Sequence, residues 1–293
     1  MIALIAGTGD LPKALVAELP ARDLIVCELL GFTPDLPDDF PRLQFRLETL
    51  GTLIQTLRDK GVEQVCMAGT IRRPGVDPTL IDDLTKPLVP AIMAALSKGD
   101  DGALRIVFEL FENAGISVVA AHDIAPSLIP PHGVLTRHGP TDQHIADAEV
   151  GDQIIVEMGR KDSGQACIIQ GRKLIVEEGV DGTDAMIASV CADPSDTPES
   201  AFEWFVGGVL DYIKGKGDAH LPAENGILFK APKPNQDRRA DLPVIGPKTA
   251  MRAAEAGLAG IVIEADGVMV LDLPPVRGIL DAQGMFLWVR PRT

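Results

Sequence analysis

The chain has 293 residues, 46% hydrophobic and 24% charged, a folded composition with length enough for two cores. Its 42 acidic against 27 basic residues leave a formal charge of −15. That field repels nucleic-acid phosphates and anionic lipid, so no nucleic-acid partner is expected and an anionic substrate needs local cations or a metal ion. Cys27, Cys66, Cys167 and Cys191 make no CxxC pair and fall mostly in apolar runs, which reads as reduced core thiols in a reducing compartment. Neither a cleavable leader nor an apolar run of about 18 residues is evident, so a soluble, cytoplasmic protein is expected.

Residues 1–6 read as a buried parallel strand, followed by the turn Gly7-Thr8-Gly9 and helical spacing over 13–19. Pro12 suits a first helical turn, where its missing N–H is no loss. Further strands are expected at 24–29, 43–47, 65–68 and 116–120, with helices at 52–58, 88–96 and 104–113. This alternation predicts an α/β fold, with a Rossmann-like N-terminal domain and a parallel sheet over residues 1–131. Residues 122–145 carry four of the five histidines and Pro126, Pro130, Pro131 and Pro140, and residues 132–150 read as a linker. His132, His138 and His144 recur every six residues, which does not gather them on one helix face. Residues 151–293 are expected to form a distinct, mixed α/β C-terminal domain, with strands at 227–230, 261–264, 268–271 and 286–289. Phe202, Phe205, Val206, Val209, Leu210 and Ile213 form an apolar stripe at helical spacing, read as a core-facing helix.

Four stretches carry candidate chemistry. A Gly7-Thr8-Gly9 turn between strand and helix lets backbone N–H groups approach a phosphate, and Glu28 stands where a dinucleotide fold places a ribose-binding acid. The third glycine of that fingerprint is missing, so an NAD(P)-dependent oxidoreductase stays only an alternative. Gly99-Asp100-Asp101-Gly102 offers carboxylates for Mg²⁺ or simply a helix cap, and Thr183 and Asp184 offer the same choice. The most informative stretch is KAPKPNQDRRADLPVIGPKT at residues 230–249. Prolines stiffen a dense array of charge there. Its Lys and Arg side chains suit a pyrophosphate, and Asp237 and Asp241 suit a metal ion or an oriented water, as phosphoryl chemistry requires.

The order of these blocks resembles the LpxI family of UDP-2,3-diacylglucosamine pyrophosphatases. The likeness runs through AGTGDLP (6–12), MAGTIRRP (67–74), GDDGALR (99–105), GVLTRHGPT (133–141), GQACII (164–169), DGTDAMI (181–187), the 230–249 block and AGLAGIVIEADGV (256–268). Asp266 stands where the family commonly has glycine. The resemblance implies a Rossmann-like domain joined to a distinctive C-terminal domain, and Mg²⁺-dependent hydrolysis of UDP-2,3-diacylglucosamine to UMP and 2,3-diacylglucosamine 1-phosphate (lipid X) in lipid A synthesis. The resemblance further implies that water is directed to the sugar-side phosphorus. On this reading Gly7, Thr8, Gly9, Gly69 and Thr70 meet the uridine phosphate. Lys230, Lys233 and Arg239 stabilise developing charge, and Gln165, Thr183 and Thr249 bind the sugar or phosphate. Asp237, Asp184 and Asp241 are the expected metal ligands, with Asp237 and Asp241 also placed among the catalytic groups. The lipid-linked sugar nucleotide implies transient contact with the inner-membrane surface, and a homodimer is left open. A non-catalytic nucleotide-sugar or lipid-binding protein on the same fold is the other alternative.

Overall fold

The computed structural model describes residues 1–71, 75–96, 100–161, 163–191, 225–234, 236–239 and 242–292. Asp241 and the apolar stripe of residues 202–213 lie outside the described residues, as do the side chains of Asp100 and Asp101. The chain forms two compact units, Met1–Leu128 with Asn235–Leu242, and Ile129–Pro234 with Pro243–Thr293.

The first unit contains β1 (Ile2–Ala6), β2 (Leu24–Leu29), β3 (Arg42–Phe45), β4 (Gln64–Ala68) and β5 (Ser117–Val118) in the order β3-β2-β1-β4-β5. All four pairings are parallel. Helices α1 (Leu11–Glu18), α2 (Leu50–Asp59), α3 (Val89–Leu96), α4 (Asp100–Asn113) and α5 (Ala121–Ile124) complete it. Strands covered on both faces need near-continuous apolar sequence, and all six residues of β2 are buried. Ala3, Ile5, Ile25, Cys27 and Val65 share one core with Leu53 and Leu57 of α2 and Phe108 and Phe111 of α4. The strand order reverses between β1 and β4, the position at which open parallel sheets present a ligand crevice beyond their carboxyl ends. Burial pushes the Cys27 and Cys66 thiols up to about 12, so neither supplies a thiolate near neutrality.

The second unit holds β6 (Gly133–Val134), β7 (Ala166–Gln170), β8 (Lys173–Glu177), β9 (Ile227–Lys230), β11 (Gly260–Glu264) and β13 (Phe286–Arg290) in the order β6-β13-β11-β9-β7-β8. The central β9, β11 and β13 run parallel, and β6, β7 and β8 are antiparallel to their neighbours. A parallel pair, β10 (Val244–Ile245) and β12 (Met269–Val270), stands apart. Its helices among the described residues are α6 (Asp142–Lys161), α7 (Thr183–Ala188), α8 (Pro247–Glu255) and α9 (Leu273–Ala282).

Strand alternation divides this sheet into two cores. Ile168, Leu228, Ile261, Ile263, Leu287 and Val289 join the core that includes α7, α8 and α9. Cys167, Ile169, Phe229, Val262 and Phe286 pack with Ala148, Ile155 and Met158 of α6. Gly151 is required in α6, because a Cβ there would lie 2.5 Å from the Phe229 ring.

The stretch 132–150, read from sequence as a linker, belongs to this unit. It supplies β6, paired with β13, and the first half of α6, packed on β7 and β9. The helical stripe Ala148, Gly151, Ile155 and Met158 begins just after the prolines and histidines that suggested a loop. Asp147, on the same helix and 1% exposed, caps the β7–β8 hairpin. Gly171 and Arg172 both have positive φ, 58° and 63°, as a two-residue type I′ turn demands. Their N–H groups donate to Asp147 at 3.1 and 2.5 Å, and Gln143 Nε2 donates to it at 2.9 Å. Asp147→Ala strands two turn amides, so a loss of about 2–3 kcal/mol is expected in urea unfolding. An unchanged midpoint would contradict this account of the hairpin.

Candidate functional site

In the first unit the two glycine-containing turns predicted to meet a phosphate do come together, at the reversal between β1 and β4. Gly7 N–H donates to Ala68 O at 2.8 Å, Thr8 N–H to Thr70 O at 3.0 Å, and Thr70 N–H to Thr8 O at 2.8 Å. The approach is so close that a Cβ on Gly7 would sit 2.5 Å from Thr70 O, and Gly69 holds φ +88°. This bridge corrects one expectation. The Gly7 and Thr8 amides are used between the turns, so a phosphate here would be met from Gly9 and the start of α1 onward, beside the exposed Thr8, Gly69 and Thr70. Glu28 is also committed. It is buried, and Arg42 on the neighbouring β3 binds its carboxylate while Gln44 Nε2 lies 3.5 Å away. A ribose-binding acid is therefore not presented at the end of β2, which removes one of the two features that favoured NAD(P), the glycine turn being the other.

Asp237 and Arg239 belong to the first unit and face each other. Arg239 Nε donates to Asp237 Oδ1 at 3.0 Å, a terminal N–H to Oδ2 at 2.7 Å, and the Arg239 backbone N–H to Oδ1 at 3.1 Å. The other terminal nitrogen reaches Glu112 at 2.7 Å, and the guanidinium stands 5.2 Å over the Phe108 ring. Hydrogen bonding from Arg239 holds the Asp237 carboxyl below the usual carboxylate range despite partial burial, and raises the already high guanidinium pKa.

The second unit gathers its chemistry at the carboxyl ends of β9 and β11. Lys230, the last residue of β9, is 8% exposed and donates to Thr183 Oγ1 at 2.8 Å and Val244 O at 3.0 Å. Thr183 opens α7 and donates to Glu178 Oε1 at 2.5 Å. Because β7 runs antiparallel to β9, Gln165 arrives at the same edge. Its backbone N–H donates to Glu178 Oε2 at 2.6 Å, and its carbonyl accepts from Ala231 N–H at 3.1 Å. Arg292 then fastens the segment that follows β9, donating to Pro232 O at 2.6 Å and to Glu264 at the end of β11. The half-buried Lys233 lies in that segment. Lys230, Thr183 and Gln165 are thus brought together, with Glu178 as a partner, and Glu264 and Arg292 at the same edge, that the sequence reading had not singled out.

Other expected site residues are placed differently. Thr249 accepts from Gly246 N–H at 3.4 Å at the start of α8. Asp184 faces Lys248 at 2.8 Å and Arg252 at 3.6 Å. His138 and His144 line one pocket, with Thr141 and Phe286. His132 meets Asp266 at 3.0 Å, while His144 accepts from Thr141 N–H at 3.2 Å and lies 5.1 Å from the Phe286 ring. Asp266 holds φ 57°, a left-handed conformation that glycine adopts without strain.

The metal expectation is not met by a ready cage. Both Asp237 and Asp184 are engaged by cations, and among the described residues no group of three or more His, Cys, Asp or Glu side chains converges as a cation site. These carboxylates do not fit a preformed Mg²⁺ centre. Nor, among the described residues, is any helix long and apolar enough to cross a membrane.

Two family descriptions match consecutive parts of the chain, the LpxI N-terminal domain over residues 1–128 and the LpxI C-terminal domain over residues 131–288. A protein of Caulobacter vibrioides named UDP-2,3-diacylglucosamine pyrophosphatase LpxI is 34% identical over 288 residues, covering 98% of this chain and 96% of its own. With both domain patterns matched and the likeness running end to end, the chain belongs to the LpxI family.

Proposed function

We propose that this protein hydrolyses UDP-2,3-diacylglucosamine to UMP and 2,3-diacylglucosamine 1-phosphate in lipid A synthesis, with Mg²⁺. The observation that carries this reading is the 34% identity to a pyrophosphatase of that name across 98% of the chain. The geometry supports it with a nearly buried ammonium, Lys230, at a strand end, and with paired turns at the reversal of a parallel sheet. Lys230 and Lys233 offset charge on the phosphate groups, acting where water is scarce and electrostatics are strong. In the first unit Thr8, Gly9, Gly69 and Thr70 offer a phosphate an exposed turn, and in the second Gln165 lies beside Lys230 at the sheet edge.

Mg²⁺ usually binds through one or two carboxylates together with substrate phosphates and water. A requirement for it is therefore compatible with a protein that holds no ready cage, and the ion would offset charge on the pyrophosphate. The diacylated substrate brings the enzyme to the inner-membrane surface. The test is ³¹P NMR of the protein with UDP-2,3-diacylglucosamine, with and without Mg²⁺. UMP and the 1-phosphate are expected only with the metal, and ¹⁸O from water is expected in the sugar phosphate. Bound but intact substrate would identify a binding protein instead.

A further inference from the structure

Three side chains from separate elements form one hydrogen-bonded line at the carboxyl edge of the second sheet. It runs from the Lys230 ammonium to the Thr183 hydroxyl and on to the Glu178 carboxylate. Its proton arrangement is forced. An ammonium only donates, a carboxylate only accepts and a hydroxyl has one proton. The Thr183 proton therefore goes to Glu178, and a Thr183 lone pair faces Lys230. Each bond has a charged group at one end, which makes it shorter and stronger than a neutral pair.

The far end is anchored as firmly. Glu178 Oε2 accepts the Gln165 backbone N–H at 2.6 Å, and Glu178 is 9% exposed. Gly164 leaves room for it, since a Cβ there would lie 2.5 Å from the Glu178 Cβ. Both Glu178 oxygens are thus directed at protein donors, an arrangement suited to holding another group in place.

We propose that Glu178 is a positioning residue, which through Thr183 fixes the Lys230 ammonium where it meets a phosphate of the sugar nucleotide. This rests on the functional reading above. Glu178 acts on Lys230 only by way of the Thr183 hydroxyl, so serine can stand in for Thr183 and valine cannot. An ammonium displaced by a fraction of an ångström still attracts substrate but no longer matches the charge that develops during the reaction, so the loss falls on kcat more than on KM.

The experiment compares wild type, T183S, T183V and E178Q by UMP release and by ¹⁵N NMR of lysine-labelled protein. T183V and E178Q are expected to lower kcat by about 100-fold with little change in KM, and T183S to recover most of that loss. The Lys230 ammonium protons should exchange slowly in wild type and T183S and broaden in the other two. Wild-type kcat in folded T183V or E178Q, or an unchanged ammonium signal, would overturn the proposal. If T183V does not fold, E178Q carries the same comparison. A wild-type protein that leaves the substrate intact overturns the functional reading instead, while the ammonium signal still decides whether Glu178 and Thr183 fix Lys230.

Discussion

Replacing Lys230 with Met is expected to lower turnover about 100- to 1,000-fold, the scale of losing one preorganised charge in a shielded site. Stability should also fall by about 2 kcal/mol, because Glu178 stays buried and Thr183 loses a donor. The double variant Lys230→Met with Glu178→Gln separates the two effects. Removing both charges relieves the uncompensated carboxylate, so much of the stability should return while turnover stays low. Urea unfolding and UMP release on the same samples read both quantities. Turnover of Lys230→Met within tenfold of wild type would take Lys230 out of the mechanism.

Asp237→Ala is the second large effect, with an expected fall in kcat of about 100-fold or more. The fork from Arg239 gives this loss a definite origin. Without Asp237 the guanidinium keeps Glu112 and Phe108 as neighbours but loses the group that fixes its plane. Asp237→Asn keeps the shape and removes the charge, so it should be nearly as slow. Near-normal turnover in both variants would remove Asp237 from the site. The pH dependence follows from the direction of the Asp237 shift. Its folded carboxyl titrates below the unfolded value of about 3.9. The pair therefore contributes stability above that value, lost as pH falls through the depressed folded pKa. An acid limb in the rate profile near pH 5–6 would accordingly belong to another group, and Asp237→Asn should leave that limb in place.

The first sheet was readable because its strands are short apolar runs punctuated by Gly7 and Gly69, a pattern that covered parallel strands impose on sequence. The second unit was harder. A two-residue strand such as β6 carries no periodicity, and α6 starts beside the proline- and histidine-rich stretch that hid it. Among the site residues, Lys230 and Thr183 stood out in charged or polar blocks next to strand-like segments, whereas Gln165 came only with the family resemblance. Glu178 did not, because its partners are chosen by the β7–β8 hairpin and the antiparallel run of β7 beside β9. Glu28 shows the reverse failure. An acid at the end of the second strand fits a dinucleotide pattern, yet the β2–β3 register brings Arg42 against it. Local sequence offers the acid, and only register reveals its neutralising partner.

The composition of the first unit also sets a timetable for biosynthesis. Its sheet is encoded in residues up to Leu128, but Asn235–Leu242 belong to it too. The ribosome delivers them only after most of the second unit's chain, and at about 5–20 residues per second that is an interval of several seconds or more. During it the nascent sheet lacks the Arg239 guanidinium that later covers Phe108 and binds Glu112. A gene fragment ending at residue 131 would make that incomplete state permanent, and exchanging N-terminal halves between relatives would pair each sheet with another protein's closing segment.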